Sequence, residues 1–302
     1  MDSRHLQRWT IEGRNDYKMK FFVGILLFVV ALCALTLLLW QWSSAGRRAS
    51  PDVSVLRRYR YAHRGLHGEG VPENSMAAFR RAVEHGFGAE LDVHLLRDGS
   101  LAVVHDANLL RVAGADVQVE GLTAQELSKY RLGGTSERVP LLGEVLALFD
   151  AAQLPLIIEL KPVGGNQKAL TDTVLQALQD HSAPYCIESF DPRAIAHLRS
   201  VKPSVVRGQL AANFAANGER PAGYSRATLF VCANLICNAL SRPDFVAYRF
   251  SDREKAAFRF CRCTMKVLWT ITDAQQLRWV EERGMLAIFE GFTPEAAWQK
   301  GL

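Results

Sequence analysis

No Cys-x-x-Cys pair occurs in the sequence, and Cys261 and Cys263 form a Cys-x-Cys with no histidine nearby. Zinc ribbons and thioredoxin-type redox motifs are thereby excluded. One of the six cysteines, Cys33, lies in an apolar N-terminal stretch, which leaves an odd five for the rest of the chain. They form no disulfide framework and read as small buried hydrophobes. Charge of one sign is also scarce. A net +5 spread over 302 residues makes no basic patch of the kind that holds nucleic acid, and none is expected as a partner. Internal repeats and low-complexity tracts are lacking, which excludes solenoid, collagen-like and disordered classes. The chain is long enough to bury a sizeable core, and an α/β barrel of about 250 residues counts as one domain.

Present instead is one long hydrophobic run. Residues 21–40 carry no charge, and as a helix at 1.5 Å per residue about twenty residues span roughly 30 Å of hydrocarbon. Trp40 and Trp42 stand where an interfacial aromatic belt is expected. A cleaved signal peptide has an apolar region of about 7–15 residues ending in small residues. Ser43-Ser44-Ala45 resembles such an ending, but the run is longer. The expectation is a retained single-pass anchor over residues 21–42, after a polar segment 1–20 and before a linker 43–57. The globular domain then covers 58–302. Arg8, Arg14, Lys18 and Lys20 precede the run and Arg47, Arg48, Arg57, Arg58 and Arg60 follow it, so flanking charge leaves the orientation open. The unpaired cysteines of the main domain point to the cytoplasmic face.

Beyond the linker, short β-branched runs alternate with amphipathic stretches, the pattern of βα units around a parallel sheet. Strands are expected at 59–62, 88–93, 155–160, 183–187, 204–208, 245–248, 266–269 and 286–289. Helices are expected at 75–85, 141–152, 167–181, 192–201, 252–261 and 273–283. Eight strands, most followed by a helix, fit a (β/α)8 TIM-type barrel better than an open sheet. Residues 101–104 form an extra short strand, and 106–139 is an insertion after the second βα unit.

Barrel chemistry gathers at the C-terminal ends of the strands. His63 and Arg64 follow the first strand, and His105 and Asp106 follow the extra strand. Glu90 with Asp92, and Glu159 with Lys161, are i, i+2 pairs that share a face. Three carboxylates on one inner face demand cations, because an unpaired buried charge costs several kcal/mol. Glu90, Asp92 and Glu159 are hard oxygen ligands suited to Mg²⁺, Ca²⁺ or Mn²⁺. Arg64 and Lys161 suit an anionic substrate. His63 and His105 titrate near neutrality, so one can take a proton while the other gives one. Together these types describe phosphodiester cleavage.

The series His63-Arg64-Gly65, Pro72-Glu73-Asn74-Ser75, Glu90-Leu91-Asp92-Val93 and Val104-His105-Asp106 resembles the signature of the glycerophosphodiester phosphodiesterase family. Pro140-Leu141, Ile158-Glu159-Leu160-Lys161, Ser189-Phe190 and Trp269-Thr270-Ile271-Thr272 continue the resemblance in order. It implies a metal-dependent barrel that hydrolyses glycerophosphodiesters to sn-glycerol 3-phosphate and an alcohol. It further implies His63 and His105 as the acid/base pair, and Glu90, Asp92 and Glu159 as ligands of a divalent cation, Mg²⁺ or Ca²⁺. Arg64 and Lys161 would hold the phosphate and Trp269 would line the glycerol end. An attack by a glycerol hydroxyl, giving a cyclic phosphate that water opens, is implied as well. No organic cofactor and no obligate protein partner are expected.

Two departures touch the substrate end. Ile288-Phe289-Glu290-Gly291-Phe292-Thr293-Pro294 stands where the family usually shows Ile-Thr-Asp-x-Pro, and Thr272 replaces an Asn. The same chemistry on a lysophospholipid, a phospholipid or a wall polymer is therefore an alternative, with 211–240 as an apolar lip. A catalytically silent, membrane-bound binding protein is a reading of another class. It would lack a histidine or an acid, and none is missing.

Overall fold

In the computed structural model, residues 3–47, 51–216, 218–219, 225–263 and 265–295 are described, and the side chains from residue 19 onward. Two compact units divide at Ser43/Ser44. The first is the helix α1 (Ser3–Ser44), whose stretch Met19–Ser44 is long and apolar enough to cross a membrane. Its Phe21, Phe22, Leu26, Phe28 and Leu38 side chains are more than 60% exposed.

In the second unit, eight parallel strands close on themselves. They are β1 (Tyr61–Ala62), β2 (Gly88–Leu95), β4 (Leu156–Leu160), β5 (Tyr185–Ser189), β6 (Arg207–Ala211), β7 (Phe245–Arg249), β8 (Met265–Ile271) and β9 (Leu286–Phe289). The short β3 (Leu101–Val103) runs antiparallel along β2. Closure falls to β1, whose Tyr61 pairs with Gly88 of β2 on one side and Ile288 of β9 on the other. The expected barrel, with its extra strand, is therefore present.

Helices α2 (Met76–Glu84), α3 (Leu110–Ala113), α4 (Ala124–Leu127), α5 (Leu142–Ala152), α6 (Gln167–Ala177), α7 (Pro192–Val201), α8 (Arg226–Ala233), α9 (Asn238–Ser241), α10 (Ala256–Phe260) and α11 (Ala274–Glu281) complete the unit. Several start on local chemistry. The Ser75 hydroxyl accepts from Ala78 N at α2, and the Asp191 carboxylate accepts from Arg193 N at α7 with Pro192 in the first turn. Thr123 and Glu126 close a capping box on α4.

Strand periodicity sorts the two faces. Leu91, Val93, Ile158, Leu160 and Ile187 point outward and pack on Phe79, Phe149, Leu170, Val174 and Leu198 of the helices. Ile157, Cys186, Val206, Phe245 and Met265 point inward and fill the bottom of the barrel together with Leu56 and Tyr61. One step further along the same inward files stand Glu159 and Glu188. The barrel is thus apolar at the bottom and ionic at the top.

Two strand positions differ from the sequence expectation. β6 lies three residues later than expected, at Arg207–Ala211, and β5 ends on Glu188-Ser189. The polar residues of β6 are buried: Arg207, inside the expected bounds, donates to Arg242 O, and the amide of Gln209, outside them, donates to Ser189 O and Phe190 O. The insertion is not a bare loop. It carries α3, α4 and a small core of Leu109, Val119, Leu127, Leu132 and Val139 packed against Leu96 and Val104.

Candidate active site

The turn after β1 is made by residues in unusual backbone conformations. Arg64 has φ 53°, Gly65 φ 76° and Asn74 φ 51°. A Cβ on Gly65 would meet the Ala78 backbone carbon at 2.9 Å, so the third residue of His-Arg-Gly must be glycine for reasons of both conformation and space. Gly65→Ala is expected to destabilise the protein by about 2 kcal/mol, read as a lower urea midpoint at unchanged denaturant slope.

That turn aims Arg64 inward. Its backbone N–H donates to Glu90 Oε2 at 3.1 Å, and its Nη1 donates to Glu73 Oε1 at 2.8 Å. Glu73 also takes a two-pronged bond from Arg111, at 2.9 and 2.7 Å. Although burial alone would raise it, the Arg111 and Arg64 guanidinium groups hold the Glu73 carboxyl down to about 2. The next residue of the motif, Asn74, donates through Nδ2 to Asp92 Oδ2 at 2.8 Å.

Four carboxylates converge at the top of the barrel. Asp92, Glu159 and Glu188 are direct neighbours across β2, β4 and β5, and Glu90 lies two residues before Asp92 on the same face. Oxygens of Glu90, Asp92 and Glu159 lie within 4.8 Å of one another. The cations against them are Arg64, whose Nε is 3.4 Å from Asp92, and Lys161, whose Nζ is 3.1 Å from Asp92 and 2.9 Å from Glu159. Burial, and then the neighbouring acids, push Glu90 and Glu188 well above the usual carboxylate range. Burial also raises Glu159, to about 7 even with Lys161 beside it. Burial opposes ionisation of Asp92 too, but Lys161, His105 and Arg64 outweigh it and hold Asp92 low. Glu188 Oε2 is buried with no hydrogen-bond partner among the described residues. Four acids facing two bases, with an orphaned carboxylate oxygen among them, match the donor set of a hard divalent cation.

Each histidine is backed by its own carboxylate. His63 Nδ1 is 2.6 Å from Glu290 Oε2, while its Nε2 lies 3.9 Å from Glu90 Oε2. His105 Nδ1 is 2.6 Å from Asp106 Oδ1. Such contacts fix the ring so that Nε2 is the free nitrogen. Burial pushes His105 down to about 4, with Lys161 and Arg64 opposing its protonation against Asp92 and Asp106. Arg111 Nε donates to Asp106 Oδ2 at 2.6 Å. One run of bonds therefore links His105, Asp106, Arg111, Glu73 and Arg64. His67 Nε2 stands 3.5 Å from the other Glu290 oxygen, so Glu290 is held from both sides.

These groups open into a cavity of about 950 Å³. His63, Arg64, Glu90, His105, Glu159 and Lys161 line one part of it, and Leu110, Val163, Phe190, Leu210, Phe214 and Leu229 line another. Trp269 stands between Phe190, at 5.7 Å, and the Arg249 guanidinium, 5.5 Å from its ring centroid. Among the described residues, the Trp269 Nε1 donor has no hydrogen-bond partner.

The model of the glycerophosphoryl diester phosphodiesterase family matches residues 63–292. The chain belongs to this family. Relatives include the glycerophosphodiester phosphodiesterase of Caldanaerobacter subterraneus, 32% identical over 158 residues, which cover 49% of this chain and 65% of that protein. Lysophospholipase D GDPD1 of Rattus norvegicus is 40% identical over 135 residues, covering 40% of this chain and 42% of that one. The matched region thus spans less than two thirds of either relative. In fold, the chain is similar to an Oleispira antarctica phosphodiesterase solved with the product sn-glycerol-3-phosphate. The TM-score is 0.60 at 21% identity, over 77% of this chain and 92% of that one.

All eight residues singled out in this sequence, His63, Arg64, Glu90, Asp92, His105, Glu159, Lys161 and Trp269, belong to this one site, Asp92 lying behind the cavity wall. Four further members were given no role in the sequence reading. Glu188 was signalled by its place in Ile187-Glu188-Ser189, one register step from Glu159. Glu73, Asp106 and Arg111 carried only the weaker signal of charged residues beside a motif. Glu290, expected at the substrate rim, is instead the partner of His63.

Proposed function

We propose that this member of the family is a metal-dependent phosphodiesterase that hydrolyses glycerophosphodiesters to sn-glycerol 3-phosphate and an alcohol. The observation that carries the proposal is the pair of carboxylate-backed histidines beside four buried carboxylates and two cations. Glu90, Asp92 and Glu159 would hold a divalent cation such as Mg²⁺ or Ca²⁺, with Glu188 completing the negative charge around it. When bound, that ion supplies Lewis-acid polarisation of a phosphoryl oxygen. Arg64 and Lys161 hold the phosphate and oppose the charge that grows on it in the transition state. His105, kept neutral by burial and its cationic neighbours, takes the proton of the attacking oxygen. His63, whose ring stands between Glu90 and Glu290, gives a proton to the departing alkoxide. Trp269, through its ring and free Nε1–H, lines the glycerol end.

The apolar half of the cavity favours a second substrate of the same chemistry, a lysophospholipid whose acyl chain lies along Phe190, Phe214 and Leu229. The lysophospholipase D relative supports it. Residues 21–42 are proposed as a retained membrane anchor, with the cytoplasmic face as the side of the barrel.

Purified full-length protein is expected to release glycerol 3-phosphate from glycerophosphocholine with Mg²⁺ or Ca²⁺ and to lose at least 100-fold in rate with EDTA. No release by folded, metal-supplied protein from either glycerophosphocholine or a lysophospholipid would overturn the enzyme reading. Phe214→Ala separates the two substrates: a lysophospholipid enzyme loses far more kcat/KM on the acylated substrate than on glycerophosphocholine.

A further inference from the structure

The end of the barrel away from the cavity has a composition that catalysis does not use. Ser44 O accepts from Asn238 Nδ2 at 2.8 Å and contacts Cys261 Sγ at 3.3 Å. Gly46 N donates to Arg262 O, Arg47 N donates to Pro243 O, and Arg47 Nη1 donates to Pro203 O. Pro203, Pro243 and Arg262 all lie just before strands, so residues 44–47 are strapped to the bottom of the barrel beneath β6, β7 and β8. Beneath the strap, Arg47 Nε meets the fully buried Asp244 at 2.8 Å.

Around the strap, large apolar side chains face outward. Val201 is 46% exposed, Leu240 50% and Phe260 62%. They sit among exposed cations: Arg57, Arg58, Arg199, Lys202, Arg259 and Arg262. Arg199 donates to Leu240 O and the Arg259 guanidinium lies 5.8 Å from the Phe260 ring centroid, so charge and apolar surface are interleaved. The carboxylates on the same segments are Asp244, buried under Arg47; Glu254, 3.6 Å from Arg259; and Asp52, which accepts from Ser54. Isolated exposed hydrophobes need no explanation, but three in a ring of cations around one chain segment make a surface of a recognisable kind.

Chain length identifies the occupant. Ser44 ends α1, and Trp42 and Trp40 precede it by two and four residues, about 3 and 6 Å at the helical rise. If those tryptophans lie at the membrane interface, as the anchor reading holds, the strap cannot leave the headgroup layer. We propose that the bottom of the barrel, centred on Val201, Leu240 and Phe260, docks on an anionic bilayer surface. The apolar side chains enter the interface and the cations meet lipid phosphates. Docking this way leaves the cavity mouth at the far end of the barrel, so substrate reaches it through water and not from the lipid underneath.

The inference rests on residues 21–42 being a retained anchor, and the experiment separates the two. Full-length protein is reconstituted in nanodiscs of phosphatidylcholine alone or with 30% phosphatidylglycerol, and amide exchange is followed. Segments 198–204, 238–243 and 256–263 are expected to exchange at least fivefold more slowly in the anionic discs, with the loops at the cavity mouth unchanged. Lys202→Glu with Arg259→Glu and Arg262→Glu should remove the difference while leaving the far-UV spectrum and the midpoint of unfolding unchanged. Equal exchange in both lipids, in a chain that stays in the bilayer, overturns the docking alone. So does protection that follows protein concentration in detergent, which would identify a second copy as the occupant. A chain washed out of the bilayer by alkaline carbonate overturns the anchor and the docking with it.

Discussion

His63→Ala lowers kcat by about 10²–10⁴-fold on a glycerophosphodiester with an alkyl leaving group, and by less than tenfold when the leaving group is p-nitrophenoxide. The asymmetry follows from the assignment of roles. An alkoxide departs badly unless it is protonated, whereas p-nitrophenoxide needs no proton, so loss of the acid is masked. His105→Ala is expected to lose a similar factor on both substrates, because the attacking oxygen must give up its proton in either case. Rates on the two substrates for the two variants decide the matter. If His105→Ala is the one rescued by p-nitrophenol, the roles are reversed. If neither is rescued, neither histidine is the acid. Glu290→Gln keeps the shape but removes the charge behind His63 Nδ1, and its expected cost is the 10–100-fold typical of an orienting partner.

The second large effect is on stability. Four buried carboxylates against Arg64 and Lys161 leave an excess of negative charge in a place where burial already raises Glu90, Glu159 and Glu188. A divalent cation that binds the folded state alone adds RT ln(1 + [L]/Kd), about 2.7 kcal/mol at a hundred times Kd. For a domain of this size that corresponds to a rise of roughly 5–10 °C in Tm. Thermal unfolding with Mg²⁺ or Ca²⁺ against EDTA reads it without any turnover. Glu159→Gln should abolish the rise, and Glu188→Gln should shift the required metal concentration up by about 10–100-fold. Without metal, Glu188→Gln should raise Tm, because it removes a carboxyl that burial and its acidic neighbours keep from ionising in the folded state although it ionises freely in the unfolded one. A wild-type Tm indifferent to divalent cations would mean that the carboxylates are balanced by protons instead.

Much of this was readable in the residues alone, and the reasons differ from place to place. The barrel announced itself because Leu91-Val93 or Ile158-Leu160 must be apolar to pack outward on helices. The motif residues announced themselves because each is tied to a fixed backbone: Gly65 by space, Asn74 by its left-handed φ, Ser75 by the cap of α2. What stayed hidden was polar residues doing interior work. Gln209 fell outside the strand expected at 204–208, yet it is buried in β6 beside Arg207, and backbone carbonyls accept from both side chains. Glu188 was overlooked for the same reason, since a charge at a strand end is normally solvated. Glu73, Asp106 and Arg111 act through one another over 38 positions of sequence, and no local pattern reports a partnership at that distance. Glu290 is separated from His63 by 227 positions, and only the closing of the barrel brings the two together.

That closing has a consequence for how activity arises during folding. β1 is two residues long and has neighbours only in β2 and β9. His63 N donates to Phe289 O at 2.9 Å, and its ring is turned by the very next residue, Glu290. His63, the proposed acid, is therefore positioned by the first and last strands of an eight-strand circuit, the longest loop the barrel has to close. A collapsed intermediate with seven strands in place would already own the proposed metal carboxylates and the proposed base, yet hold His63 loose. In such a protein the capture of an ion would precede competence, and hydrolysis would be the last property to return on refolding.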